Sequence, residues 1–240
     1  MADIQTNPNL DLQKLPKHVA VIMDGNRRWA KSRGMGSTEG HRQAALNTIE
    51  PIIERCGELG IKYVTFWAFS TENWKRDEEE LKGLFDVFRL GLASLAARFI
   101  QKGANLRILG DINRFPADIA KKTLEMMSQS KKNDKIFVTF ALNYGGRDEI
   151  LRAVKKIVNE KLLSDSITDE VFSLHLDTAG IPDPDLIIRT GGEQRLSGYL
   201  PWQSVYAELY FVSTLFPDFS PVEFEKALFW YQQRDRRLGK

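Results

Sequence analysis

VAVIMDGNRRW, residues 19–29 of this 240-residue chain, passes directly from an apolar run to a cluster of charges. The run from Val19 to Met23 is continuously apolar, which is typical of a strand covered on both faces of a sheet. It ends in Asp24 and Gly25. A glycine lets the backbone approach a ligand closely, and a helix that begins there favours anions. The pattern predicts a buried strand ending in a phosphate site, with a divalent cation between the acid and the anion.

Strand-like segments rich in valine, isoleucine and phenylalanine alternate with helix-like segments along the chain. The predicted strands are His18–Asp24, Tyr63–Ser70, Leu106–Gly110, Ile136–Asn143, Leu186–Arg189 and Glu208–Ser213. The predicted helices are His41–Leu59, Glu78–Lys102, Ala117–Ser128, Arg147–Leu163, Thr168–Leu176 and Pro221–Arg237. A kink or break is expected at Pro51. The alternation predicts an α/β protein whose mostly parallel central sheet of about six strands is flanked by helices.

Polar, glycine-bearing or amide-bearing segments follow four of these strands. They are residues 24–26, 70–76, 143–147 and 189–197. Ligands of parallel sheets bind beyond the carboxyl ends of the strands, so these segments are expected to share one edge and one site. No linker, repeat or low-complexity stretch interrupts the pattern, which predicts a single domain of residues 16–240 after a flexible N-terminal segment of residues 1–15.

The composition limits the classes of function. Charged residues make up 28% of the chain and the net charge is +2, which argues against nucleic-acid binding. The single cysteine, Cys56, lies on an apolar helical face and fits core packing in a reducing compartment. The polar N-terminus does not resemble a signal peptide, and the apolar stretches are too short or interrupted to span a bilayer. A cytoplasmic protein is expected, with peripheral contact with a membrane left open.

Other phosphate-binding patterns fit poorly. The glycines of residues 34–40 approximate a dinucleotide fingerprint, but the third comes one residue late and no strand precedes it. No Walker-type loop is present. An aspartyl-phosphate enzyme would need an acid at the position of Asn26, and no adjacent aspartate pair of a trans-type prenyl synthase occurs.

Taken together, the motifs resemble those of the cis-prenyltransferases, over residues 16–239. They are His18 with Met23-Asp24-Gly25-Asn26-x-Arg28-Trp29-Ala30, Gly40-His41, Ala68-Phe69-Ser70-x-Glu72-Asn73-Trp74-x-Arg76, Asn143-Tyr144-Gly145-Gly146-Arg147, Arg189-Thr190-Gly191-Gly192-Glu193-Gln194-Arg195-Leu196-Ser197 and Trp202-Gln203-x-x-Tyr206-x-Glu208. The resemblance implies that residues 16–240 form a catalytic domain with an apolar tunnel. It also implies a transferase that condenses isopentenyl diphosphate with an allylic diphosphate, farnesyl or geranyl diphosphate, to make a cis-polyprenyl diphosphate of the undecaprenyl carrier type.

Site residues follow from the same resemblance. Asp24 and Asn73 would be catalytic, and Mg²⁺ would be held by Asp24 and Glu208. The implied substrate-binding residues are Gly25, Asn26, Arg27, Arg28, Trp29, His41, Ser70, Thr71, Glu72, Trp74, Arg76, Arg189, Arg195, Leu196 and Ser197. The allylic diphosphate would lie near Arg28 and His41, and isopentenyl diphosphate near Arg189. The resemblance further implies a homodimer, in which residues 237–239 extend toward the partner's site.

Two positions depart from the family pattern. Ser37 stands where many members carry an arginine, so one phosphate contact would be missing or supplied by Arg33 or Arg42. Leu142 stands where undecaprenyl enzymes often have alanine, and a larger side chain there would narrow the tunnel if the strand register turns it inward. The expected tunnel lining is Phe85, Phe88, Leu92, Leu95, Phe140 and Leu142.

Simpler interpretations remain open at this point. Asp24 could be a helix cap, Trp29 and Trp74 could be core residues, and Glu208 could be a surface residue of a strand. The apolar residues of the expected tunnel could be ordinary core. Two alternative functions also remain, a short-chain cis-prenyl diphosphate synthase and a non-catalytic partner subunit with the same fold.

Overall fold

The computed structural model describes residues 10–236, and it confirms the α/β fold with one six-stranded sheet. The strands are β1 (His18–Ile22), β2 (Tyr63–Ser70), β3 (Ala104–Leu109), β4 (Ile136–Tyr144), β5 (Leu186–Arg189) and β6 (Glu208–Phe211). Their order is β3-β4-β2-β1-β5-β6, and every neighbouring pair is parallel. All six predicted strands are present, with ends that differ by at most two residues.

Nine α-helices connect or follow these strands within the described residues. They are α1 (Asn26–Ser32), α2 (Glu39–Gln43), α3 (Ile49–Glu58), α4 (Glu78–Gly91), α5 (Ala97–Gln101), α6 (Ala117–Ser130), α7 (Gly146–Asn159), α8 (Asp169–His175) and α9 (Pro221–Gln232). Over these residues, none of the helices has the length and apolarity needed to span a bilayer.

The helix around Pro51, where a kink or a break was expected, is irregular but does not break. Residues 39–58 are helical throughout, and the irregularity is a π-helical turn, Ala44–Thr48, just before the proline. Pro51 has no N–H to donate to the carbonyl of Asn47, and the wider turn containing Asn47 accommodates that missing bond. A second π-helical turn, Leu92–Ala96, joins α4 to α5 within the long predicted helix.

The central strands are covered on both faces, as their apolar sequences predict. All five residues of β1 are buried, and so are all four of β5. Cys56 is buried in the core on one face of the sheet, where the loss of hydration raises the pKa of its thiol. It therefore packs as an apolar side chain and is not placed for nucleophilic chemistry.

The predicted N-terminal segment is described only from residue 10. There, Leu12–Lys14 form a short 3₁₀ turn, and Leu10 and Leu15 pack against the core. The backbone N–H of Asp11 donates to the Gln232 side chain of α9 at 3.2 Å. These contacts join the start of the described chain to its last helix.

Candidate active site

The carboxyl edge of the sheet brings Asp24 between two arginines that lie far apart in sequence. Arg189 at the end of β5 donates to Asp24 Oδ2 at 2.9 Å, and Arg28 on α1 donates to Oδ1 at 3.3 Å. Ile22 is in register with Arg189 across the β1–β5 pair, which sets the first of these contacts. The Asp24 carboxylate therefore accepts hydrogen bonds from both arginines and is still 28% exposed.

Two glycines allow the backbone to approach closely around this carboxylate. Gly25 has a φ of +109° before α1, and a Cβ there would lie 2.8 Å from Leu215 Cδ2. Gly40 on α2 packs on α1 so closely that a Cβ would lie 2.0 Å from the carbonyl oxygen of Asn26. Only glycine fits either position without displacement of the neighbouring backbone.

Two cavities meet at Asp24. The polar cavity is lined by Met23, Asp24, Gly25, Asn26, Arg27, Arg28, Lys31, Met35, Ser37, His41 and Arg76. The apolar cavity, of about 290 Å³, shares Met23, Asp24, Asn26, His41 and Arg76 with it and continues between the sheet and the helices. Its apolar lining includes Phe69, Leu84, Phe88, Leu92, Leu95, Met126, Phe140 and Leu142. A charged mouth thus opens directly onto a hydrocarbon-lined interior.

His41 lies at the boundary between the cavities and is neutral at physiological pH. Burial, together with the nearby charges of Arg76 and Arg27, lowers the pKa of its imidazole to about 3. Its Nε2 is buried without a hydrogen-bond partner among the described residues. A buried polar atom left unpaired at a cavity wall is a suitable contact for a ligand.

The turn after β2 holds Asn73 at the same mouth. Its Oδ1 accepts the N–H of Ser70 at 2.9 Å, and the Ser70 side chain accepts the N–H of Asn73 in return. This reciprocal pair fixes Asn73 in the lining of the apolar cavity, together with Ser70 and Arg76. Thr71, Glu72 and Trp74 lie in the same turn but do not line either cavity.

Arg189 organises the second basic cluster. It is buried and donates to Ser197 Oγ at 2.9 Å and to the carbonyl of Arg195. The Arg195 side chain is 60% exposed and pairs with Glu193 at 2.5 Å. Residues 189–197 therefore form one loop beside Asp24, in which Arg195 faces solvent and Leu196 packs toward the interior of the fold.

Two aromatic residues of the predicted site are held by protein contacts instead. Trp29 is buried, donates to Asp218 at 2.7 Å and lies outside both cavity linings. Trp74 donates to Asn143 Oδ1 at 2.8 Å and packs in an aromatic cluster with Phe69. Both indoles therefore support the walls of the site, which is the core interpretation that the sequence left open.

Glu208 lies far from Asp24 within one chain, so a single protomer does not bring the two predicted metal ligands together. Glu208 is the first residue of β6 and is in register with Leu186, which is in register with Val19 at the start of β1. That places it on the order of 15 Å along the strands and about 10 Å across them from Asp24. Its carboxylate pairs with Arg234 at 3.2 Å.

Neither arginine proposed to replace a residue at position 37 reaches the polar cavity. Arg33 pairs with Asp218 at 3.2 Å and stacks on Trp29, while Arg42 pairs with Glu39 at 3.5 Å. Neither belongs to the cavity lining, whereas Ser37 does. Lys31 also lines the cavity and was missed, although its spacing of four and three residues from Arg27 and Arg28 indicated a shared helix face.

The strand register turns Leu142 inward. Leu142 is 6% exposed, lines the apolar cavity and is in register with Phe69 of β2. Phe88, Leu92, Leu95 and Phe140 also line the cavity, but Phe85 does not. Residues 237–239, which the resemblance implies extend toward the partner's site, lie outside the described part of the chain.

Three comparisons relate this chain to known proteins. A prenyltransferase family model described as undecaprenyl diphosphate synthase matches residues 22–239. The isoprenyl transferase of Clostridium perfringens is 45% identical over 94% of this chain and 90% of its own length. That of Aquifex aeolicus is 46% identical over 95% of this chain and 97% of its own length.

Two crystal structures resemble this fold. Lavandulyl diphosphate synthase from Lavandula x intermedia, in complex with dimethylallyl diphosphate, has a TM-score of 0.91 and 36% identity over 95% of this chain and 100% of that chain. A probable undecaprenyl diphosphate synthase from Campylobacter jejuni has a TM-score of 0.79 and 34% identity over 94% of this chain and 99% of that chain.

Proposed function

The chain belongs to the undecaprenyl diphosphate synthase family and is an isoprenyl transferase, and on this premise we propose that it condenses isopentenyl diphosphate with an allylic diphosphate. One observation carries the proposal. Asp24, held between Arg28 and Arg189, lies where a polar cavity opens onto an apolar one. A diphosphate with a hydrocarbon tail is complementary to such a site, since its head needs cations and its tail needs burial.

Each diphosphate has its own basic group in this proposal. The allylic diphosphate lies in the polar cavity, against Arg28 and the unpaired Nε2 of His41, with its chain in the apolar cavity. Isopentenyl diphosphate lies on the other side of Asp24, against Arg189, Arg195 and the Ser197 hydroxyl. Two anions held on either side of one carboxylate would have their reacting carbons side by side, which lowers the entropic cost of the condensation.

Within the described linings of the two cavities, Asp24 is the one carboxylate that could hold Mg²⁺. Among residues 10–236, no group of three acidic, histidine or cysteine side chains could form a metal cage. Magnesium commonly takes one or two carboxylates and completes its shell with phosphate oxygens and water, which suits a lone exposed carboxylate. When bound, the ion would neutralise charge on the departing diphosphate.

Asn73 positions the proton acceptor in this proposal. The new carbon–carbon bond forms as the allylic C–O bond breaks, and a proton then leaves carbon 2 of the isopentenyl unit. A neutral amide is too weak a base to take it. The side chain of Asn73, fixed by its bond to Ser70, can orient a phosphate oxygen or a water that accepts the proton.

A specific observation favours a short product as the alternative. The apolar cavity has a volume of about 290 Å³, near the lower limit of ordinary ligand pockets, and Leu142 lies in its wall. A long polyprenyl chain of the undecaprenyl type would require the cavity to widen, whereas a short cis-prenyl chain would not. A non-catalytic partner role is disfavoured because Asp24 and both basic groups are retained.

We also propose a homodimer in which Glu208 acts across the interface. Glu208 lies at the opposite edge of the sheet from its own Asp24, so it can contribute to a metal site only in a second copy. Val205, Tyr206 and Leu209 are 72%, 64% and 36% exposed around it, an apolar patch suited to a subunit interface. The cytoplasmic location, peripheral contact with a membrane through the lipid product and a role in cell-wall carrier synthesis remain proposals from the sequence.

The test is an elongation assay with product masses. The purified protein is incubated with Mg²⁺, isopentenyl diphosphate and geranyl or farnesyl diphosphate, and the products are analysed by mass spectrometry. We expect masses that increase by whole isoprene units, and the longest mass separates long-chain from short-chain synthesis. The absence of elongation with every primer would contradict the proposed reaction.

A further inference from the structure

Lys31 differs from the other cations of the polar cavity in its pairing. Arg28 pairs with Asp24 at 3.3 Å, while Arg27 and Arg76 both pair with Glu80, at 3.5 and 2.8 Å. Lys31 lines the same cavity, and no ion pair or hydrogen bond of its ammonium group is found among residues 10–236. Its charge is therefore the one in this wall that no carboxylate of the described chain offsets.

The position of Lys31 on α1 directs it toward the site. It lies three residues after Arg28 and four after Arg27, so all three share one face of the helix. Long side chains on a helix lean toward its N-terminus, over the preceding turn. The Lys31 ammonium group is therefore directed past the arginines toward the N-terminal end of α1, which Asp24 precedes.

Ser37 lies in the wall of the same cavity, in the segment between α1 and α2. It offers a hydroxyl group where a charge would otherwise strengthen the binding of an anion. Arg33 and Arg42 are both paired outside the cavity, as described above. Among the described residues of this wall, Lys31 is thus the unpaired cation that could supply the positive charge missing at position 37.

We propose that Lys31 binds the outer phosphate of the allylic diphosphate and supplies the positive charge that Ser37 does not. The inference rests on the proposed function of the polar cavity and adds to it a further substrate-binding residue. Hydrogen bonds to charged groups are strong enough to change affinity by about ten- to a hundredfold. An ammonium group without a competing carboxylate gives most of that effect to the ligand.

Binding is measured by calorimetry on the full chain. The ligand is an allylic diphosphate in which sulfur replaces the oxygen between the allylic carbon and the first phosphorus, so that it binds without reacting. We expect Lys31→Gln to weaken binding by about tenfold and Lys31→Arg to stay within about threefold of the parent. Ser37→Arg added to Lys31→Gln should restore binding. Isopentenyl diphosphate, which lies on the other side of Asp24, should bind all variants equally.

The matched control is Lys121→Gln, an exposed lysine on α6 that removes the same charge away from both cavities. Equal binding by the parent and Lys31→Gln would overturn the role of Lys31 alone. A loss of the same size in Lys121→Gln would also overturn it, because net charge would then be the cause. No binding by the parent protein would instead overturn the proposed function itself.

Discussion

Asp24 is the residue on which the proposed chemistry depends, and its contacts allow a clean test. Asp24→Asn keeps an acceptor for Arg189 and removes the negative charge that a metal requires. We expect kcat to fall by at least about a thousandfold, the scale of a lost metal or electrostatic contact. Asparagine still accepts a hydrogen bond from the buried Arg189 but no longer offsets its charge, so we expect the free energy of unfolding in urea to fall by about 1–3 kcal/mol.

The control for this substitution is Asp118→Asn, which breaks an exposed ion pair with Arg89. Its steady-state rate should equal that of the parent. If Asp24→Asn turned over normally, Asp24 would have no part in the reaction. If Asp24→Asn unfolded at a much lower urea concentration than the parent, the main role of the carboxylate would be to stabilise the fold.

At the scale of single residues, the sequence predicted which residues lie near Asp24 better than it predicted which side chains they contact. The acid, glycine and arginines of residues 24–28 are adjacent in the chain, so their association needed no tertiary information. The bond from Arg189 to Asp24 depends on the β1–β5 register, which no local pattern encodes. Trp29 was predicted to bind substrate and lies outside both cavity linings, because adjacency to a motif does not tell which side of a helix an indole occupies.

At the scale of elements, the contact between α1 and α2 shapes the polar cavity. A Cβ on Gly40 would lie 2.0 Å from the Asn26 carbonyl, so Gly40→Ala must push the two helices apart. We expect a loss of about 1–3 kcal/mol in the free energy of unfolding, as in other overpacked sites. KM for the allylic substrate should rise while KM for isopentenyl diphosphate changes little.

Gly57→Ala is the matched control, because a Cβ there has nothing within 4 Å and lies in α3. It should stabilise the protein by roughly 0.5–1 kcal/mol, since alanine favours a helix over glycine. Urea unfolding and both KM values are measured on the two variants. A Gly40→Ala protein as stable as the parent would mean that the helices are not tightly packed.

The inward orientation of Leu142 on β4 yields a prediction about the product. Leu142→Ala enlarges the apolar cavity, so we expect the longest product mass to increase by one or more isoprene units. Leu109→Ala truncates an equally buried leucine that does not line the cavity. Both should lose about 2–5 kcal/mol of stability, but only the first should change the product masses. An unchanged mass pattern would show that another part of the wall limits the product.

The prediction of helices and strands succeeded where the apolar pattern was clear. It was less accurate where a helix could accommodate a proline through a local change in its hydrogen bonding. The six strands were predicted from runs rich in valine, isoleucine and phenylalanine, of which those of β1 and β5 are fully buried, and their alternation with helices was enough to predict a parallel sheet. Pro51 was expected to kink or break its helix, because proline removes a hydrogen bond. A π-helical turn of five residues, Ala44–Thr48, could absorb that loss, and the sequence carries no strong signal for such turns.

For the whole molecule, the buried His18 and the half-buried His41 predict how stability depends on pH. Burial lowers the pKa of His18 to about 4 and that of His41 to about 3, below the 6.5 of the unfolded chain. The unfolded state then binds protons more tightly, so stability falls as the pH drops below about 6.5. Each histidine contributes up to about 1.4 kcal/mol per pH unit until its folded pKa is reached.

Urea unfolding of the parent and of His18→Gln between pH 7.5 and 5 measures this slope. The variant should lose less stability on acidification, even if it is less stable at pH 7.5. His175 is a control of opposite sign, because its bond to Glu160 raises its pKa and stabilises the fold at low pH. His175→Gln should therefore steepen the loss. An unchanged slope in His18→Gln would mean that His18 titrates normally in the fold.

For the whole molecule, the sequence alone already indicated that Glu208 and Asp24 lie at opposite edges of the sheet. The predicted strand began at Glu208, and a parallel sheet places the first residues of its strands at the edge opposite Asp24. The strand order confirmed that separation, with β5 between β1 and β6. Only a second copy of the chain can therefore bring the two carboxylates together.

Subunit mixing tests this arrangement. Asp24→Asn and Glu208→Gln chains, each inactive alone, are co-expressed so that mixed dimers form. In a two-fold dimer with Glu208 acting across the interface, one of the two sites in each mixed dimer regains both carboxylates, so activity should return to about a quarter of the parent. Co-expression of Asp24→Asn with Arg28→Ala is the control, because both residues serve their own subunit's site and neither mixed site is complete. Recovery in the first mixture and not in the second would support a shared site, whereas no recovery in either would limit Glu208 to its ion pair with Arg234.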